Sequence, residues 1–484
     1  MESMNEKYKS SESSPIDAAE GVATNESIQV LDLYQTAEKI YTRRLEGFYR
    51  TLRSWAWIPM LLTFFVIPWI NIDGRQAMWF DLGERKFHIF WLTFWPQDFP
   101  LLAWLLIIAA FGLFTVTNFL GRVWCGFSCP QTVYTQIFIN IEEFFEGNRN
   151  QRIKLDKQPW TYNKLWRKSG KQLTWWLIAL ATGLTFVGYF NPIREFLPGF
   201  FTLDAHPAAI FWAVVFTALT WANAGMMREQ ICLYVCPYAR FQSAMFDSDT
   251  LIVSYDETRG EQRGSRKRNQ DPKESGLGDC VDCNLCVQVC PTGIDIRDGL
   301  QYECISCGLC IDACNAVMDK MEYPRGLIDF STENILKSGD KFRLFRPRLV
   351  GYFAVLLVMC SLFVYTILTR IPLEVDIIRD RDLLYRTTAE GLIENSYTLK
   401  INNMDRRDHV YQLDLDSEHD LSFIGQREVS VPQGEIVELL VRLRLPQGEL
   451  KAPNSQIHFV VQSLDSPGIV DREESRFLGP LPKR

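Results

Sequence analysis

Eight cysteines between Cys280 and Cys314 fall into two runs of identical spacing. The first reads Cys280-Val-Asp-Cys283-Asn-Leu-Cys286-Val-Gln-Val-Cys290-Pro291, the second Cys304-Ile-Ser-Cys307-Gly-Leu-Cys310-Ile-Asp-Ala-Cys314. Each is C-x2-C-x2-C-x3-C, the spacing by which paired [4Fe–4S] clusters are held. Three closely spaced thiolates cap one face of a cube, and the fourth comes from the other run, so the two segments must fold against each other. This assigns Cys280, Cys283, Cys286 and Cys314 to one cluster, and Cys290, Cys304, Cys307 and Cys310 to the other. Zinc is the alternative. Structural zinc sites use two separated C-x2-C pairs, and a third cysteine two residues further on has no place in them. One position departs from the pattern: Asn315 stands where the first run has Pro291. Proline is not a ligand, so the change is expected to alter exposure of the cluster and not its binding.

The remaining cysteines narrow the setting. The chain has 484 residues and 13 cysteines, of which all but Cys360 sit in tight groups and none follows it. That is the distribution of metal or redox sites on the reducing side of a membrane, not of a disulfide-stapled secreted domain. The net charge of −7 gives no footprint for nucleic acid. Residues 1–30 are polar, rich in Ser and Glu, and lack the apolar core of a secretory signal; they read as disordered.

Apolar blocks alternate with charged ones. Four uncharged runs exceed the length needed to cross a bilayer: Phe99–Gly121, Gln172–Ile193, Pro207–Met227 and Leu349–Thr369. Trp55–Ile72 is a shorter fifth candidate carrying Pro59 and Pro68. Basic residues set the direction. Arg43, Arg44, Arg50 and Arg53 precede the first span, Arg149 to Lys171 follow the second, and Lys341, Arg343, Arg346 and Arg348 precede the fifth. Those sides read as cytoplasmic. Val123–Ile141 is also uncharged, but Gln131, Thr132, Thr135, Gln136 and Asn140 mark it as interfacial or re-entrant; a sixth span would put the most basic regions on the wrong side.

From Glu374 onward the period changes to two, as in Tyr397–Ile401, His409–Leu415 and Gln456–Gln462, with Asn, Pro and Gly between the runs. Such short alternating strands predict an immunoglobulin-like sandwich. His409, His419 and His458 have no ligand spacing and read as surface residues, not copper ligands. The expected architecture is a multi-domain membrane protein. It has a partly disordered segment at 1–54 and helices within 55–227 with a basic loop at 142–171. A cytoplasmic ferredoxin domain with two clusters spans 228–348, a last span 349–369 and a periplasmic sandwich 374–484.

Two further pairs sit just past spans: Cys125-Gly-Phe-Ser-Cys129-Pro130 and Cys232-Leu-Tyr-Val-Cys236-Pro237, both C-x3-C-P. Residues four apart share a helix face, so each pair can present two sulfurs together. Four thiolates suit Cu(I), zinc or an iron–sulfur centre, or can cycle between dithiol and disulfide. Small buried packing residues are the plain alternative, and a lone Cys360 reads that way. Met226, Met227 and Met245 stand nearby. No C-x2-C-His attaches a c-type haem and no phosphate-binding glycine loop occurs. His88 and His206 lie only at outer margins, which leaves no pair for a buried haem.

The whole combination, and the string Trp124-Cys125-Gly126-Phe127-Ser128-Cys129-Pro130-Gln131 above all, resembles the cytochrome c oxidase accessory family called CcoG, RdxA or FixG. The resemblance runs from about Arg44 to the end of the chain. It implies a multi-pass protein of the bacterial inner membrane that reduces Cu(II) to Cu(I) for assembly of a cbb-type oxidase. The implied copper site is Cys125, Cys129, Cys232 and Cys236; the implied cofactors are two [4Fe–4S] clusters; the implied partners are oxidase assembly factors and an unidentified electron donor. Residues 50–320 also resemble quinol-linked membrane ferredoxins, which lack the last span and the sandwich. An assembly scaffold with structural clusters is the third alternative.

Overall fold

The computed structural model describes residues 39–480, apart from 73, 269, 271–275, 340, 341, 344, 381, 382, 406 and 451, and the side chains of 97, 240 and 243. The chain divides into Met1–Ile40 and Tyr41–Arg484. The expected disordered start lies outside the described residues, and the described helices and strands all belong to the second unit.

Among the described residues, four helices are long and apolar enough to cross a membrane: Phe48–Trp69, Phe99–Leu120, Pro207–Met227 and Pro347–Leu368. The first, α1 (Phe48–Val66), starts seven residues before the expected Trp55 and closes in a 3-10 turn at Ile67–Trp69, where Pro68 interrupts it. Its early start has a long-range cause. The Asp312 carboxylate accepts the backbone N–H of Tyr49 at 3.2 Å and of Arg50 at 2.9 Å, supplying the cap that Gly47 lacks. Three strands follow, Met78–Asp81, Lys86–Ile89 and Leu92–Phe94, and lead into α2 (Phe99–Leu120).

The segment expected to be interfacial is broken in two: α3 (Val123–Phe127) and α4 (Pro130–Glu146). The basic stretch at 142–171 is not a loop. It forms α5 (Arg149–Lys157) and the start of α6 (Tyr162–Val187). Its cations are drawn inward by two buried carboxylates of α4: Lys171 lies 2.7 Å from Glu146, and Arg152 lies 3.8 Å from Glu142. α6 stops at Val187, so its apolar part after Lys171 is shorter than the expected Gln172–Ile193 and below the ~20 residues of a full span. It packs closely on α8 (Pro207–Trp221): a Cβ at Gly183 would fall 2.7 Å from the Ala213 carbonyl. A short α7 (Ile193–Thr202) joins them.

Beyond α8 the chain winds into a π-helical segment, Ala222–Met227, a second at Ile231–Val235, and α9 (Pro237–Met245). The cluster domain is framed by an antiparallel strand pair, Ile252–Tyr255 with Ile328–Ser331, around α10 (Leu285–Val289) and α11 (Leu309–Met321). α12 (Pro347–Leu368) leads out of it. At its far end Arg370 pairs with Asp98 at 2.6 Å, tying that end to the start of α2.

Residues 373–478 form two antiparallel sheets. One orders the strands Ser422–Ile424, Ile436–Pro446, Leu392–Asn403 and Leu373–Arg379; the other Glu428–Val431, His409–Ser417, Asn454–Ser463 and Val470–Leu478. The alternating runs of the sequence all lie in strands. Inward residues of both sheets, among them Tyr397 and Leu443 from one and Leu413 and Phe459 from the other, make one core. Tyr397 meets Phe459 edge-on at 5.3 Å. His409 departs from its expected surface position: it is buried, and its ring bonds Asp405 at 2.9 Å and Ser463 at 3.3 Å.

Replacing Asp312 by alanine leaves two helix N–H groups without a partner and is expected to cost about 1–3 kcal/mol. Asparagine, which keeps one acceptor oxygen, is expected to cost less. Thermal unfolding of the detergent-solubilised variants measures both.

Candidate functional site

The two cysteine runs fold as near copies because both place left-handed residues on either side of their second cysteine: Asp282 and Asn284 in one, Ser306 and Gly308 in the other. Alternating left- and right-handed residues curl the backbone so that successive N–H groups point inward, as in an anion nest. The N–H of Val287 serves the Cys286 sulfur, Ser306 serves Cys304, Leu309 serves Cys307 and Ile328 serves Cys314. Such bonds stabilise sulfur that carries negative charge and tune cluster potentials.

Two separate cavities result. One is lined by Cys280, Cys283, Cys286 and Cys314 with Val317 and Leu327. The other is lined by Cys290, Cys304, Cys307 and Cys310 with Val253 and Ile294, and Cys286 touches it too. This is the interleaved grouping expected from the spacing, with the fourth cysteine of each run crossing over. Among the described residues, no three His, Cys, Asp or Glu side chains converge on one point as around a single ion. The thiols instead surround volumes, which fits a polynuclear group. Burial pushes the Cys286 thiol up to about 11, and Cys304 and Cys314 to about 12, so loading must expel protons. Cys283 alone of the eight is exposed.

Asn315 has a clear local role. α10 ends at Val289, before Cys290 and Pro291, but α11 runs on to Met321 with Cys314 inside it. A proline at 315 would break that helix. Asn315 instead accepts the Gly326 N–H at 3.1 Å, fastening the loop that follows.

The C-x3-C-P pairs do not form single helical turns as expected. Cys125 lies in α3 and Cys232 in a π-turn, whereas Cys129 and Cys236 are extended residues at ψ 126° and 110° that precede α4 and α9. The reason is the proline, which takes the first position of the new helix and forces the residue before it out of helical conformation. Both pairs thus adopt one arrangement: a cysteine in a short turn, then a cysteine at a helix mouth. Gln131 draws them together, donating to the carbonyls of Asn223 at 2.9 Å and Arg228 at 3.1 Å. Burial pushes the Cys125 thiol up to about 11 and Cys232 to about 12; Cys129 and Cys236 add to both by like charge, so the four sulfurs are near neighbours.

Gly126, between the first two of these, packs directly on the second cluster run. A Cβ there would lie 2.6 Å from the Ile305 carbonyl and 2.9 Å from the Cys307 Cα. Nothing in the motif signals that contact beyond the glycine itself. Met226, exposed, and Cys360, half-buried in α12, join neither set of thiols.

Family models match three parts of the chain: a 4Fe-4S binding domain at residues 102–148, a 4Fe-4S dicluster domain at 227–333, and the IG-like fold at the C-terminal of FixG at 363–480. Over 453 residues the chain is 39% identical to protein RdxA of Cereibacter sphaeroides, covering 90% of this chain and 95% of that one. The chain belongs to the FixG/RdxA family. Nitrogen fixation protein FixG of Rhizobium meliloti is 37% identical over 411 residues, 77% of this chain and 78% of FixG. A solved FixG-related protein from Vibrio parahaemolyticus is 30% identical over 23% of this chain and 98% of its own, with a TM-score of 0.21. As a FixG/RdxA protein with apolar spanning helices, the chain is an iron–sulfur electron-transfer protein of the membrane.

The crossed grouping makes a specific forecast. Alanine at Cys283 or Cys314 is expected to remove one electron paramagnetic resonance signal, and alanine at Cys307 or Cys290 the other, each with loss of about half the iron. Grouping by run instead of by cavity would pair Cys290 with Cys283.

Proposed function

We propose that the chain reduces Cu(II), as substrate, to Cu(I) at the site of Cys125, Cys129, Cys232 and Cys236, for the assembly of a cbb-type cytochrome c oxidase. The observation that carries this reading is the packing of Gly126 on the Cys307 backbone, which sets the four thiols beside the inner cysteine cavity. When bound, the clusters supply single electrons, and one electron converts Cu(II) to Cu(I). Cys283 gives the exposed edge where a donor reaches the chain, Cys286 borders both cavities, and the Cys307 backbone packs on Gly126 of the membrane-edge site. Soft sulfur then holds the softer Cu(I) product better than Cu(II).

We read the cysteine domain as cytoplasmic and the sandwich as periplasmic. The spanning helix α12 separates them, and the basic residues before α1 and α12 favour the inner side. A reporter fused after Arg484 is expected to be active only as a periplasmic fusion; activity in the cytoplasm overturns that orientation.

A second reading has its own support. The family models described as 4Fe-4S domains include both C-x3-C-P pairs, and among the described residues the four sulfurs do not close on one point. In that reading these thiols hold a further iron–sulfur group. Anaerobically purified protein separates the two. Copper reduction predicts about eight iron atoms per chain and loss of Cu(II)-reducing activity in the Cys125→Ser, Cys129→Ser double variant with iron unchanged. The second reading predicts about twelve iron atoms, of which the same variant loses about four.

A further inference from the structure

Arg122 stands between the two sites. It links α2 to α3 and is 4% exposed. Its Nη1 donates to the carbonyls of Tyr302 and Cys304, the latter at 3.4 Å. Its Nε donates to Gln242 Oε1. The same oxygen accepts from the Cys125 thiol at 3.6 Å. One hydrogen-bonded chain therefore runs from the backbone of Cys304, which lines the inner cavity, to the first thiol of the membrane-edge site.

No carboxylate among the described residues bonds this guanidinium. A buried cation without a counter-charge is strongly disfavoured. The groups beside Arg122 that can supply negative charge are sulfurs: that of Cys304, whose carbonyl it bonds, and that of Cys125, which it reaches through Gln242. Arg53 of α1 is also buried, lies beside Pro291 and Ile305 of the two cysteine runs, and makes no ion pair among the described residues.

The outer cavity is built differently. Its one lining arginine among the described residues, Arg297, is held at 2.6 Å by both Asp282 and Asp295. Those two carboxylates cancel its charge and leave one negative unit over. Among the described residues, two buried arginines without a carboxylate partner flank the inner cavity; at the outer, Arg266, half-buried and donating to the Cys280 carbonyl at 3.5 Å, also lacks one, but it only offsets that surplus carboxylate.

We propose that Arg122 is a positioning residue that joins the inner cysteine cavity to the four-thiol site and, by its unbalanced charge, keeps the Cys290, Cys304, Cys307 and Cys310 group at a higher reduction potential than the Cys280, Cys283, Cys286 and Cys314 group. An added electron makes a cavity one unit more negative, and a fixed cation in a low-dielectric surround stabilises that state. The electron comes from a low-potential one-electron donor, which is oxidised by one equivalent. Arg122 favours its arrival at the inner cavity, and it leaves there to reduce one Cu(II) to Cu(I). The last step rests on the proposed copper reduction; the order of potentials does not.

The test uses full-length protein in detergent, without copper, titrated with dithionite and followed by electron paramagnetic resonance. In Arg122→Gln, iron and sulfide are expected to stay at the wild-type level, the higher of the two midpoint potentials to fall, and the lower to stay in place. Arg122→Lys, which keeps the charge, is expected to restore most of the shift. Two unchanged potentials in a loaded Arg122→Gln protein overturn the proposal, as does an equal shift of both, or a lysine variant no different from the glutamine one. If only the glutamine variant fails to load, a lysine variant with wild-type potentials upholds it and a shifted one overturns it. Loss of iron from both variants reduces Arg122 to a structural role and also overturns it. Failure of Cu(II) reduction with the potentials ordered as stated counts against the copper reading alone.

Discussion

At Gly126 two backbones meet with no side chain between them. A residue with any side chain would collide with the Ile305 carbonyl and the Cys307 Cα. Electron transfer falls off steeply with distance, so a chain that carries electrons between two sites must hold them at a fixed, short separation. Glycine gives the shortest separation that a peptide allows. Gly121 follows the same rule five residues earlier, with a left-handed φ of 61° and a Cβ position 2.9 Å from the Leu251 carbonyl. Together they clamp the helix that leaves the membrane onto the domain that holds the cysteines.

Much of this is legible in the residues. The crossed cysteine grouping follows from spacing alone, because three ligands on a short loop cannot supply a fourth without a partner run. The sandwich follows from a period of two, and its strands fall where the alternation puts them. The elements that escape do so for identifiable reasons. α1 begins early because its cap, Asp312, is contributed by another domain, which no local pattern reveals. The basic stretch at 142–171 reads as a solvated loop when charge is counted without its partners; Glu142 and Glu146 turn those cations inward. The cysteine pairs have the spacing of a helical turn, but the proline that ends each motif overrides it. Arg122 and Gln242 are 120 positions apart and carry no motif, so only the fold brings them to Cys125.

The charged groups sort into two kinds. Glu142 and Glu146 are shared among Arg152, Lys168, Lys171 and Arg228 within the helical bundle, where Lys171 and Arg228 also lie over the Trp175 ring at 4.8 and 5.6 Å. Every cation of that set has a carboxylate partner, and the set holds α4, α5, α6 and the segment after α8 together. The arginines beside the inner cavity have no such carboxylates among the described residues. Two such buried arginines flank the inner cavity, whereas the outer has the doubly paired Arg297 and the half-buried Arg266.

The Asp312 cap carries a consequence for biogenesis. α1 is made first, yet the carboxylate that completes its amino end is made 263 residues later, on a helix that also bears Cys310 and Cys314. Until that helix forms, the first membrane segment has an unfinished end at the bilayer surface. The amino end of the first membrane segment is thereby completed by the same helix that carries two cysteines of the cluster runs, one from each cavity.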